Sequence, residues 1–300
     1  MKKLIQLNIS FVLIFLTFHS SFAAVKYGVP EHYTWTDPIF ALSSNAVPLT
    51  RIRKGLKELT LTGAYITVKE DDEESINDTT DFSDNVIYES TGEADGYGIS
   101  FSWFEALGKN WGYSVIASYT PLDGKTVALY ETDNNNFVTS KHKADIEASS
   151  FQALGFVVYD PLNDRDNLNT PLFVGAGLYQ ASQKGSLEKT IGSDTYKWNA
   201  EIDFVSVGFV LGGALQFNTG DFRWSPFMMG FFGTSTPSYE LTVQKNNTNV
   251  FTNSAEPEFE VQWLGGLAFK YMPWELGGRW TPNFFGHNQD IFTLSKTWTW

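Results

Sequence analysis

Asp290-Ile291-Phe292-Thr293-Leu294-Ser295-Lys296-Thr297-Trp298-Thr299-Trp300 closes the chain, and in an extended strand it places Phe292, Leu294, Trp298 and Trp300, with Lys296, on one face and Ile291 followed by small hydroxyl residues on the other. A side-chain period of two is the signature of a strand with two chemically different faces. The same pattern recurs upstream. Tyr97, Ile99, Phe101 and Trp103 alternate with Gly98, Ser100 and Ser102, and Tyr113, Val115, Ala117 and Tyr119 alternate with Gly112, Ser114, Ile116 and Ser118. A soluble β-sandwich also alternates, but it has no use for large apolar faces on strand after strand while the opposite faces carry Gly and Ser. Apolar-out, small-or-polar-in is the pattern of a strand whose outer face meets lipid.

At the other end, Met1-Lys2-Lys3, the apolar stretch Phe11 to Phe18 and Ser21-Phe22-Ala23 have the order of a positive n-region, an h-region and a small-x-small cleavage site. The expectation is a secretory signal peptide over residues 1–23. No later segment approaches the ~18 consecutive apolar residues of a spanning helix, which excludes an α-helical membrane protein. The chain has 0 Cys, so a disulfide framework, thiol catalysis and a lipidated Cys after the signal are excluded together.

Together, the signal segment and the alternating end in Phe292, Leu294, Trp298 and Trp300 resemble Gram-negative outer-membrane β-barrel proteins, whose final aromatic residue is read by the barrel-insertion machinery. The likeness is to a superfamily. It implies an all-β, transmembrane, antiparallel up-and-down barrel, placement in the cell outer membrane, and contact with outer-membrane lipid and lipopolysaccharide. Composition agrees, since 25 Phe, 13 Tyr and 10 Trp make the chain 16% aromatic. Barrels place such rings in lipid-facing bands and interfacial girdles. The formal net charge of −13 argues against nucleic acid as a partner.

Period-two reading gives ten strands, at about 58–69, 95–106, 112–119, 146–159, 172–181, 198–217, 222–233, 256–271, 274–281 and 290–300. The connections between them alternate in length. Polar stretches at 70–94, 121–144, 184–196 and 237–255 read as long outer loops. Leu107 to Asn110, Asn218 to Asp221 and Met272-Pro273 read as tight periplasmic turns, with 161–170 intermediate. Residues 24–57 do not alternate and contain Pro30, Pro38 and Pro48, so they read as a periplasmic extension or plug, with two further strands (twelve in all) as the alternative. The barrel proper is then 58–300. Arg51, Arg53, Lys54 and Lys57, just before it, fit the phospholipid head groups of the inner leaflet.

Inside the barrel, strand parity places Glu58, Arg223, Glu258, Glu260, Gln262, Lys270, Glu275 and Arg279. Two readings remain open. These charges pair into a plug that satisfies them, or they line a narrow porin-like lumen for small solutes. Inward Gly208, Gly212, Gly266 and Gly277 fit either open space or room for large neighbours. The carboxylates Asp71, Asp72, Glu73 and Glu74 could offer oxygen ligands to Ca²⁺, but they lack the spaced pattern of a calcium loop, and no cofactor is implied.

An enzyme needs a constellation that the chain does not display. Downstream of the signal, the histidines are His32, in the extension, His142, between Lys141 and Lys143 where exposure to solvent is the default, and His287, close to Asp290. A rim hydrolase would need His287 and Asp290 to meet a nucleophile. The expectation is that the protein is not an enzyme.

Overall fold

In the computed structural model the described residues are 50–69, 86–87, 91–132, 138–162, 168–253, 258–281 and 289–300. They form β1 (Lys57–Lys69), β2 (Val86–Ile87), β3 (Thr91–Ala106), β4 (Trp111–Thr132), β5 (Val138–Tyr159), β6 (Leu168–Asn169) and β7 (Leu172–Ile191). Then follow β8 (Asp194–Ala214), β9 (Gln216–Thr219), β10 (Phe222–Lys245), β11 (Thr248–Asn253), β12 (Glu258–Tyr271), β13 (Leu276–Thr281) and β14 (Gln289–Thr299).

Antiparallel pairing runs from β1 through β3, β4, β5, β7, β8, β10, β12, β13 and β14. It then returns to β1, with Leu59 opposite Trp298 and Tyr65 opposite Phe292. Among the described residues the ring of pairings closes, the arrangement by which a sheet satisfies backbone donors and acceptors between neighbouring strands. The fold is the transmembrane antiparallel up-and-down β-barrel that the alternating sequence implies. The shorter pieces are accessory: β9 continues β8 beyond Leu215, β11 folds back on the end of β10, and β2 lies against the end of β4.

The outward face carries the large apolar side chains. Tyr97, Ile99, Phe101, Val115, Tyr119, Phe151, Val157, Phe209 and Leu294 are all exposed. On β4 this band runs from Trp111 to Tyr119, close to the ~9–11 residues a tilted strand needs to cross the hydrocarbon. Above Tyr119 the outward residues become Pro121, Asp123 and Lys125, all exposed.

Here the structure corrects the sequence reading. Among the described residues, the stretches taken as outer loops at 121–144 and 184–196, and much of the one at 237–255, are continuations of the strands. β4 and β5 stay paired up to Thr132 opposite Val138. β7 and β8 stay paired to Ile191 opposite Asp194, joined through Gly192 at φ 61°. β10 turns into β11 through Asn246 and Asn247, both at positive φ (50° and 66°), the backbone that a two-residue type I′ hairpin demands. The polarity that suggested loops belongs to the outward face only. Inward, the same stretches carry Leu122, Leu129, Ala144 and Val243, which form one buried cluster with Ile146, Trp198, Ala200, Ile66 and Ile291. The upper part of the barrel is therefore a folded sheet with its own apolar core.

A second apolar cluster fills the lower end, where Lys57 and Trp300 meet through paired backbone bonds. It contains Phe104, Phe156, Phe173, Phe227, Met229 and Phe231 from the wall, together with Ile52. At this end Ile52, 2% exposed, inserts into the barrel, whereas Arg53 and Lys54 are exposed. Gly55 N donates to Ala106 O and Ala106 N donates to Leu56 O, extending the β1–β3 pairing. Of the expected extension or plug, Ile52 is thus packed inside, while 24–49 lie outside the described residues.

Candidate functional site: the inner wall and its lower mouth

Between the two apolar clusters the inner wall is polar. Thr62 stands opposite Ser100, Ser100 opposite Ser118, Ser118 opposite Gln152, Gln152 opposite Tyr179, and Tyr179 opposite Ser206. All six are buried. Ser118 Oγ donates to Gln152 Oε1 (3.2 Å), whereas Thr62 Oγ1, Ser100 Oγ, Ser206 Oγ and Gln152 Nε2 are buried without a hydrogen-bond partner among the described residues. Such groups are costly in a dry interior, at ~1–3 kcal/mol each.

The inward glycines do not open a path. A Cβ on Gly208 would lie 2.7 Å from Phe231 Cζ, one on Gly212 2.5 Å from Phe173 Cζ, and one on Gly266 2.9 Å from Phe227 Cζ. Each of these three seats an aromatic ring of the lower cluster, so for them the second of the two readings left open is the one observed.

At the lower mouth, Glu58, Arg223, Lys270 and Arg279 are buried, between 4% and 6% exposed, on β1, β10, β12 and β13. Arg223 and Lys270 face each other directly across the β10–β12 pair. Arg223 Nε donates to Asn218 Oδ1 (3.0 Å), Lys270 Nζ donates to Thr50 Oγ1 (2.8 Å), and Arg279 lies over the ring of Phe227 at 5.9 Å. Glu275 is half-buried at the turn after Met272–Trp274, in left-handed backbone at φ 51°. Its Oε1 accepts from Thr299 Oγ1 (2.6 Å) and lies 4.0 Å from Lys270 Nζ. The backbone of Glu258, Glu260 and Gln262 is paired in β12 with Ser235, Gly233 and Phe231; their side chains lie outside the described residues.

Two contributions to this mouth were not read from the sequence. Asp160, 1% exposed, accepts from Leu162 N, Thr170 N and Asn169 Nδ2, each at 3.0 Å, and so fixes the turn after β5. Its position in Asp160-Pro161 is a turn-forming signal that could have found it. Arg51 and Arg53, read as lipid anchors, flank the inserted Ile52 and act electrostatically on Arg223.

Of the histidines, His142 alone lies among the described residues. His142 is at the upper hairpin and is not a solvent-exposed histidine: its side chain is 14% exposed and its Nε2 lies 2.5 Å from Glu131 Oε1. His32, His287 and the acidic run Asp71, Asp72, Glu73 and Glu74 lie outside the described residues, as does the side chain of Asp290. No group of three or more metal-ligating side chains occurs among the described residues. The terminal Phe292, Leu294, Trp298 and Trp300 all face outward and are exposed, with Trp300 edge-on to Trp103 at 5.4 Å.

No family model and no curated protein matches the sequence. Among solved structures the chain is similar to the translocator domain of the autotransporter NalP from Neisseria meningitidis, with 10% identity over 90% of this chain and 99% of that one and a TM-score of 0.44. It is also similar to the transport unit of the autotransporter AIDA-I from Escherichia coli (10% identity, 89% and 98% covered, TM-score 0.37). A third is the outer membrane protease OmpT from Escherichia coli (10% identity, 85% and 100% covered, TM-score 0.38). These are likenesses of general architecture, and activity is not part of them.

Proposed function

We propose that this chain is an outer-membrane barrel with a closed lumen, whose working surface is the folded upper part raised above the lipid band. The observation that carries this reading is the packing of the interior. An apolar cluster built on Trp198, Leu129 and Ile146 occupies the upper end, and a Phe-rich cluster with Ile52 inserted occupies the lower end. Strands of 20 to 24 residues, as in β7 and β10, are about twice what a crossing requires. The surplus forms hairpins with an outward face of cross-strand charge, including Lys184 with Glu201, Lys125 with Asp145 (3.7 Å) and Lys197 with Glu188 (3.5 Å).

In the membrane the apolar band contacts lipid. Tyr65, Tyr97 and Tyr119 mark its upper border, where lipopolysaccharide head groups are the natural neighbours, and Trp111, Trp274 and Trp300 mark its lower border. The outward Phe292, Leu294, Trp298 and Trp300 are available to the insertion machinery.

The second reading is a narrow channel for small solutes, favoured by the buried hydroxyl belt from Thr62 to Ser206, which is a polar surface where a sealed barrel could have been apolar. Liposome swelling separates the two. Vesicles carrying the refolded full chain should shrink and stay shrunken in small sugars and amino acids, as protein-free vesicles do; re-swelling would favour the channel.

A further inference from the structure

We propose that the polar inner wall between the two apolar clusters is the docking surface for residues 32–49 of this same chain, which lie outside the described residues. The first ground is the state of the wall. Thr62, Ser100, Thr120, Ser150, Gln152 and Ser206, on β1, β3, β4, β5 and β8, are each 0–3% exposed. Each has a side-chain polar atom without a hydrogen-bond partner among the described residues. Their inward neighbours Ala64, Ala148 and Ala181 are small and buried. A ring of eight strands is just filled by its own side chains. Ten strands pair in this ring, so hydroxyls and alanines on one half of it do not cover one another. Water in that space would leave these side chains wetted, yet they are buried. The wall therefore calls for an occupant that excludes water and carries donors and acceptors of its own.

The second ground is independent and sets the kind of occupant. Lys270 Nζ, on an inner-wall residue that is 4% exposed, donates to Thr50 Oγ1, and Ile52 packs into the lower cluster. Thr50, where the described residues begin, thus stands at the inner wall of the lower mouth. Residues 32–49 number 18 by inclusive count, and even wound as a helix that length reaches ~27 Å, about the depth of the hydrocarbon. Their chemistry suits the wall. They include no Lys or Arg and one acidic residue, Asp37, whereas Arg51, Arg53, Lys54 and Lys57 follow at once. Thr34, Thr36, Ser43, Ser44 and Asn45 carry hydroxyl and amide groups to match those of the wall, and Ile39, Phe40 and Leu42 carry apolar volume to match Met229 and Phe231 on β10. Because it is joined to the mouth through Thr50, the segment meets the wall at a roughly millimolar effective concentration, ahead of a free peptide or solute that is scarcer. The inference deepens the closed-lumen reading and rests on it.

The test uses the full-length chain, refolded in detergent, with Ser44→Cys introduced into a protein that has 0 Cys. The introduced thiol should react with a maleimide about a hundredfold or more slowly than in denaturant, as a group reached only through local opening does. Ser100→Trp in the same background puts a large side chain where the segment docks, and should raise the rate about tenfold or more by displacing it. Ser206→Trp should do the same from β8, so either variant decides if the other fails to refold. A thiol that reacts as fast as in denaturant overturns the proposal without any wall variant. Slow reaction that the Trp variants leave unchanged also overturns it, since the segment would then be sheltered away from the wall. Planar-bilayer recording of the same Ser44→Cys protein keeps the two readings apart. Fast reaction in a silent protein overturns the docking alone, whereas steady conductance overturns the closed lumen and the docking with it.

Discussion

Gly208 stands directly opposite Gly233 across the β8–β10 pair, and the ring of Phe231 occupies the space beside both. A Cβ on Gly233 would lie 2.4 Å from that ring, and one on Gly208 would lie 2.5 Å from Phe232 O. The lower cluster is thus a fitted core, in which glycine and aromatic ring are complementary volumes. Gly208→Val is expected to destabilise the barrel by about 1–3 kcal/mol through overpacking, read as a lower urea midpoint in micelles. An unchanged midpoint would mean that the site has open space.

The inserted segment can be probed with unusual economy, because the chain has 0 Cys. Ile52→Cys should react with a maleimide far more slowly than Lys54→Cys, since Ile52 is 2% exposed and Lys54 is exposed. In denaturant the two should react alike. Equal rates in the folded protein would mean that Ile52 does not occupy the mouth.

The upper hairpins make a prediction about pH. The Asp194 carboxyl is held below its ordinary value of 3.8, first by Asn246 Nδ2 donating to it (2.7 Å) and then by Lys245 (3.0 Å). A depressed carboxyl contributes stability that is present above its unfolded value and is lost as pH falls through the folded one. Hydrogen exchange at the 192–195 and 246–247 turns should therefore accelerate relative to the lower strands only below about pH 4. In Asp194→Asn this acid-dependent step should disappear.

Lipid-facing strands were legible because their chemistry is inverted. Tyr97, Ile99, Phe101 and Trp103 point away from the interior, and no soluble fold spends rings in that way. The upper extensions were not legible as strands because their outward residues are charged, while small inward residues such as Ala128 and Ala144 are weak period-two signals. The mouth was half legible. Parity brought Glu58, Arg223, Lys270 and Arg279 to one interior, but only tertiary structure could bring Ile52, Arg51 and Asp160 to them, since contacts between a non-periodic segment and distant strands leave no local pattern.

Trp300 is exposed on the outer face and edge-on to Trp103, and on the proposed reading it serves assembly as well as stability. Trp300→Phe should leave insertion into the outer membrane largely intact. Trp300→Asp should reduce the heat-resistant, folded fraction in cells more than it reduces refolding in detergent, where no insertion machinery acts. An equal loss in both settings would assign the residue to stability alone.

The most direct test of the closed interior is single-channel recording of the refolded full chain in a planar bilayer. With both ends of the lumen filled, by Trp198 and its neighbours above and by Ile52 and the phenylalanine rings below, the expected record is silence from a protein shown to be inserted and heat-stable. Steady conductance steps, with an ion selectivity that changes when Lys270 and Arg223 are replaced by Gln, would contradict it.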